Sequence, residues 1–133
     1  MTLTKILGLS VLGLFISAQA LASEKVKRED KLFRSVQAAQ GSQFVKAQRI
    51  EMAPGVAAPV HVHPVPTFGV INQGSIAYQE EGGAEVMLKA GDTFFEPKDL
   101  KILKFNNGGD KPAVFTVFYL VEDKDSQTLH LAQ

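Results

Sequence analysis

The sequence predicts an all-β sandwich or barrel, and three observations carry that prediction. From Phe44 onward, turn-forming residues recur at short intervals: Pro54-Gly55, Pro64, Pro66, Gly74, Gly82-Gly83, Gly91-Asp92, Pro97 and Gly108-Gly109. Between them lie apolar or alternating runs of four to nine residues, the length of strands rather than of helices. The most apolar run of this region, Ala113–Val121, suits a central strand buried on both faces. Many short strands with closely spaced turns fold as sandwiches or barrels.

Each element follows in order. Met1–Ala22 reads as a secretory signal peptide. Lys5 supplies a positive start, Ile6–Ile16 form an apolar run broken only by Gly8, Ser10 and Gly13, and Ala20-Leu21-Ala22 is a small-x-small cleavage site before Ser23. The run is too short to span a bilayer and has no basic flank after it, so cleavage after Ala22 and export to the periplasm or beyond are expected. No cysteine follows it, which excludes a lipid anchor. Residues 23–43 open with the charged stretch Glu24–Lys31 and read as an arm or short helix leading into one domain, residues 44–133. Within that domain the expected strands are Phe44–Met52, Val60–His63, Phe68–Ile71, Ser75–Gln79, Glu85–Leu88, Thr93–Glu96, Lys101–Phe105 and Ala113–Val121. Glu81-Gly82-Gly83 reads as a hairpin turn, with glycine supplying positive φ. Glu122–Gln133 reads as a polar connection ending in a short strand or tail. Phe68, Phe94, Phe95, Phe105, Phe115, Phe118 and Tyr119 are expected in the core.

Composition narrows the function. The 133 residues hold 14 basic and 14 acidic side chains. Removing the leader, whose one charge is Lys5, leaves a slight acidic excess. Neither nucleic acid nor, after cleavage, a membrane is suggested as partner. The absence of cysteine excludes disulfides and thiolate chemistry. No Gly-x-Ser-x-Gly elbow supports a serine hydrolase, and no glycine-rich loop opening a helix supports a nucleotide cofactor. Asp92 reads as a turn residue, Glu80-Glu81 as a solvated tip, and His130 as exposed.

The pair His61-Val62-His63 is the chemical signal. On a strand, residues i and i+2 point to one face, so both imidazoles share a surface. Imidazole is the commonest transition-metal side-chain ligand. Gly55-(x5)-His61-x-His63-(x3)-Thr67-(x6)-Gly74 resembles the first motif of the cupin family, with Thr67 where the family has glutamate. Gly91-(x5)-Pro97-x-Asp99-(x2)-Ile102-(x3)-Asn106 resembles the second, with Asp99 in place of glycine and Ile102 in place of histidine. The chain is similar to small single-domain cupins over roughly residues 50–121.

The resemblance implies a jelly-roll barrel of two antiparallel sheets with a pocket in its mouth. It also implies that metal-binding members hold iron, manganese, nickel, zinc or copper on two histidines, a glutamate and a third histidine. Only His61 and His63 carry over, because a threonine hydroxyl is a poor ligand and Ile102 cannot coordinate. Three roles are open for the pair: metal ligands helped by another carboxylate, hydrogen-bonding groups of a metal-free pocket, or structural residues satisfied by polar neighbours. Glu96 is the candidate third ligand, since it lies six positions before Ile102, an even separation that returns it to the same face unless Pro97 breaks the strand.

The expected function is a small-molecule pocket around His61 and His63, holding a divalent metal with Glu96 and, if catalytic, oxidising or isomerising a small organic substrate. The alternative is a non-enzymatic binding or interaction module that has lost the metal site. A homodimer is an expectation from the family alone.

Overall fold

The computed structural model describes residues 29–36 and 41–132, with Lys31–Gln133 grouping as one unit. The expected signal peptide Met1–Ala22, its cleavage point and residues 23–28 and 37–40 of the arm lie outside the described residues.

Nine strands and no helix are present among the described residues: β1 (Phe44–Met52), β2 (His61–Val62), β3 (Thr67–Gln73), β4 (Ser75–Glu80), β5 (Val86–Lys89), β6 (Thr93–Glu96), β7 (Lys101–Asn106), β8 (Ala113–Val121) and β9 (His130–Leu131). They form two antiparallel sheets, one ordered β1-β8-β3-β6 and the other β5-β4-β7-β2-β9. The chain changes sheet at the β3–β4 corner, where Gly74 has φ 76° and where a Cβ would come within 2.9 Å of the Pro112 carbonyl oxygen. Only glycine meets both demands.

The strand pattern follows turn chemistry. Val60–His63 shrinks to two paired residues, because Pro64 and Pro66 lack the N–H groups a longer ladder needs. β3 runs longer than its apolar run, reaching Thr67 at one end and Gln73 at the other, because it lies between β8 and β6 and pairs with both.

The core fills the space between the inner faces. Ile71, Ile76, Ile102 and Val121 are fully buried, and the rings of Phe94, Phe105 and Phe115 meet at centroid separations of 5.3, 6.1 and 5.0 Å. Truncating such a side chain to alanine costs about 2–5 kcal/mol. Gly69 on β3 makes room for this cluster, since a Cβ there would lie 2.4 Å from the Phe94 ring.

β8 corrects one expectation. It is central in its sheet but buried chiefly on one face, with Thr116, Phe118 and Leu120 only half-buried on the other. Phe68, Phe95 and Phe118 share that outer side rather than the core. They are kept from water by one another and by the arm. Phe68 stacks on Phe118 at 5.5 Å, Arg34 lies 5.7 Å from the Phe95 ring, and the Thr93 hydroxyl donates to the Lys31 carbonyl at 2.8 Å.

Two polar residues anchor loops. Buried Asn107 donates to the carbonyls of Met52, Ala53 and Lys111 and so ties three chain segments together. Asp99 adopts φ 62° and donates its N–H to the His63 carbonyl at 2.8 Å. Aspartate tolerates this left-handed conformation better than most residues, which is why a glycine position of the motif can carry it.

Candidate metal centre

His61 and His63 project into the barrel from the short β2, and Val62 between them points outward. β2 is held on one side by β7, pairing His61 with Ile102, and on the other by β9, pairing His61 with Leu131. A parallel bridge to Lys98 secures His63. The two rings stand edge to face, 5.1 Å apart.

Backbone carbonyls set the tautomer of both rings. His61 Nδ1 lies 2.7 Å from the Pro59 oxygen, and His63 Nδ1 bonds the Thr128 oxygen. A carbonyl only accepts, so each Nδ1 carries the hydrogen and each neutral ring presents an Nε2 lone pair. This is the outer-shell arrangement that orients histidine ligands toward metals.

Glu96, the last residue of β6, brings the carboxylate. Its Oε2 lies 2.8 Å from His63 Nε2, and both side chains are buried. In a neutral form His63 would present a lone pair there, and a lone pair faces a carboxylate oxygen at that distance only with a proton or a metal cation between them. Glu96 Oε1 is buried with no hydrogen-bond partner among the described residues. Such an orphaned acceptor is costly in a protein interior. One donor atom from each of His61, His63 and Glu96 lies within 4.8 Å of the others, so the three can hold a metal ion. Two nitrogens and a carboxylate oxygen suit a divalent transition metal with open positions.

Glu96 and Ile102 both face the interior, but from opposite sheets, so strand parity is not what brings them together. Thr67 and Ile102 supply no ligand. Both are fully buried, and the Thr67 hydroxyl donates to the Val65 carbonyl at 3.1 Å. His130 is exposed, and Asp92 serves its turn by accepting from the Lys89 N–H at 2.8 Å.

Two tyrosines surround the carboxylate. Burial, and after it the Glu96 charge, raise the Tyr119 hydroxyl above the usual phenol range, while a hydrogen bond with Thr128 partly offsets this. Tyr78 is raised further by burial, then by Glu96 and Glu80, and its hydroxyl donates to the Phe95 carbonyl at 3.1 Å. Both stay neutral phenols at ordinary pH.

A cavity of 170 Å³ opens onto the histidines, with His61, His63 and Tyr119 on its polar side and Ile50, Met52, Ala58, Phe105, Phe115 and Leu129 as apolar walls. Thr128 and Leu129 belong to the segment that reads in the sequence as a polar connection ending in a short strand or tail, and they precede the short strand β9. Their positions could be found only from the β2–β9 pairing, which two residues are too few to announce. A larger hollow of 570 Å³ lies at the opposite end of β1, lined by Phe44, Val45, Lys46, Val121, Asp123 and Lys124, and it contains none of these groups.

Among solved structures, the fold is similar to oxalate oxidase in complex with the substrate analogue glycolate (TM-score 0.55, 24% identity, 65% of this chain and 45% of that one). It is also similar to a DMSP lyase from Ruegeria pomeroyi (TM-score 0.57, 24% identity, 65% of this chain and 42% of that one). A third is an uncharacterized conserved protein with a double-stranded β-helix domain from Klebsiella pneumoniae (TM-score 0.56, 22% identity, 67% and 75%). The chain thus spans less than half the length of the oxalate oxidase and the lyase. No curated protein matches the sequence. The family model described as a cupin domain matches residues 48–119, more than half of the chain. With its two antiparallel sheets in jelly-roll form, this chain belongs to the cupin family.

Proposed function

We propose that this protein binds a small organic molecule in the barrel cavity, beside a divalent metal ion held by His61, His63 and Glu96. The observation that carries the reading is the buried contact between His63 Nε2 and Glu96 Oε2, together with the unpartnered Glu96 Oε1 beside it. One proton between the two residues answers the first feature and leaves the second. A cation answers both.

When bound, such a metal supplies Lewis acidity or, for a redox-active ion, oxygen activation. The chain's own residues do the rest. The Pro59 and Thr128 carbonyls hold both imidazoles with Nε2 inward, Glu96 offsets part of the cation's charge, and the apolar walls keep bulk water from the ligand. Neutral Tyr119, at 5.9 Å from the His63 ring, supplies a hydroxyl at the cavity edge. If the site is catalytic, oxidation or isomerisation of a small organic substrate is the reaction class it fits. The leader-like Met1–Ala22 supports export to the periplasm or beyond.

A second reading, a binding module without metal, is favoured by one observation: Ile102 and Thr67 leave three protein donors among the described residues. Elemental analysis of the untagged protein and of His61→Ala/His63→Ala separates the two. Near-stoichiometric metal that disappears in the variant is expected. A protein that holds no metal and takes up no added manganese, iron, nickel, copper or zinc would overturn the first reading.

A further inference from the structure

We propose that the cavity takes a neutral molecule of one six-membered ring bearing a hydroxyl headgroup, of the phenol or cyclic-enol class, with the hydroxyl toward His61. The proposal rests on the reading of His61, His63 and Glu96 above in that it uses the histidine wall as the headgroup side.

Size comes first. The cavity measures 170 Å³, and an apolar protein cavity of about 150 Å³ takes up one benzene ring. Two fused rings would reach past the open mouth, where Leu129 is 40% exposed, and leave part of their surface in water. Lining comes second. Phe105 and Phe115 offer ring surface, Ile50, Met52 and Leu129 offer aliphatic surface, and the polar rings of His61, His63 and Tyr119 cluster together, with centroids 5.1 Å apart for the first pair and 5.9 Å for the second. That asymmetry suits a ligand with an apolar body and a single polar end.

Charge comes third. No lysine or arginine is among the described residues lining the cavity. In the metal-free protein a small carboxylate would therefore enter without a cation to meet it, and in either form it would lack apolar atoms to use the walls. Finally, the headgroup has a partner. His61 Nδ1 is engaged by the Pro59 carbonyl, so Nε2 of the neutral ring accepts a hydrogen bond from a hydroxyl in the metal-free protein. In the metal-loaded protein the same end of the cavity presents the ion, and the ring body keeps the same walls.

The test is fluorine NMR titration of the untagged protein, metal-free and metal-loaded, with 4-fluorophenol, 6-fluoro-2-naphthol and fluoroacetate. The expected result is saturable binding of 4-fluorophenol, at least tenfold tighter than either of the others. Two cavity-filling variants, Ala58→Phe and Leu129→Trp, should each weaken it at least tenfold; Leu129 is 40% exposed and tolerates bulk. Equal or tighter binding of fluoroacetate would overturn the proposal. So would unchanged 4-fluorophenol binding in whichever variant keeps a cooperative melt. Metal uptake without 4-fluorophenol binding overturns the ligand class and leaves the metal reading standing. Binding of 4-fluorophenol that the variants abolish, in a protein that takes no metal, supports the class and removes the metal.

Discussion

Thr67 and Glu96 stand directly opposite each other on β3 and β6. The position where the cupin pattern carries a glutamate holds a threonine, and a carboxylate returns from the neighbouring strand. Because paired residues on one face lie about 4.5–5.5 Å apart at Cβ, a longer side chain from β6 reaches the space that one from β3 would fill.

That relationship predicts a swap. Glu96→Thr alone should lower metal affinity by more than the roughly 10–100-fold that outer-shell changes cost. Thr67→Glu/Glu96→Thr should restore it to within about tenfold of the parent, since one carboxylate again faces the histidines. Thr67→Glu alone puts two carboxylates face to face and should lower the melting temperature of the metal-free protein. Isothermal titration with zinc and thermal melts check all three.

The terminal segment makes a separate prediction. Thr128 supplies the carbonyl that orients His63, and β9 pairs with β2. A stop codon at position 128 should lower metal affinity about 10–100-fold while the protein still unfolds cooperatively, because the buried core residues all precede it. Thr128→Val keeps the carbonyl and should keep the affinity, although the hydroxyl's bond with Tyr119 is lost.

Alkaline pH should destabilise the fold through its tyrosines. Tyr78 and Tyr119 have raised pKa values in the folded protein, whereas an unfolded chain releases such protons near pH 10. Above about pH 10 the folded state therefore binds more protons than the unfolded state, and stability falls as pH rises. Below that pH both states hold the proton and these groups add no pH dependence. The slope reaches at most about 1.4 kcal/mol per pH unit for each tyrosine. Urea denaturation from pH 8 to 11.5 measures it, and Tyr78→Phe should flatten the curve.

Asp99 offers a stability test away from the site. Its φ of 62° costs energy for any residue with a side chain. Asp99→Gly relieves that strain and adds some freedom to the unfolded chain, for a net gain of up to about 1 kcal/mol. Its exposed pairing with Lys98 at 3.8 Å adds little to either side. Chemical denaturation at neutral pH reads the difference.

Local chemistry is legible in the sequence wherever neighbours along the chain decide the outcome. Alternation of apolar residues and well-placed glycines and prolines marked the strands, and β1, β6 and β8 have the bounds expected of them. The i, i+2 spacing alone puts His61 and His63 on one face. What sequence could not decide is what meets that face, because the partners arrive from other strands at large chain separation. The register of β3 against β6 sets Glu96 opposite Thr67, and the pairing of β2 with β9 brings Thr128 and Leu129 to the histidines. The outer placement of Phe68, Phe95 and Phe118 follows likewise from which face of each sheet is turned inward. Turn spacing and alternation are enough for a β sandwich or barrel with two histidines on one strand face. That a buried, half-satisfied carboxylate stands against one of them emerges from the assembled sheets, because strand register is set by the packing of the whole core and not by any one segment.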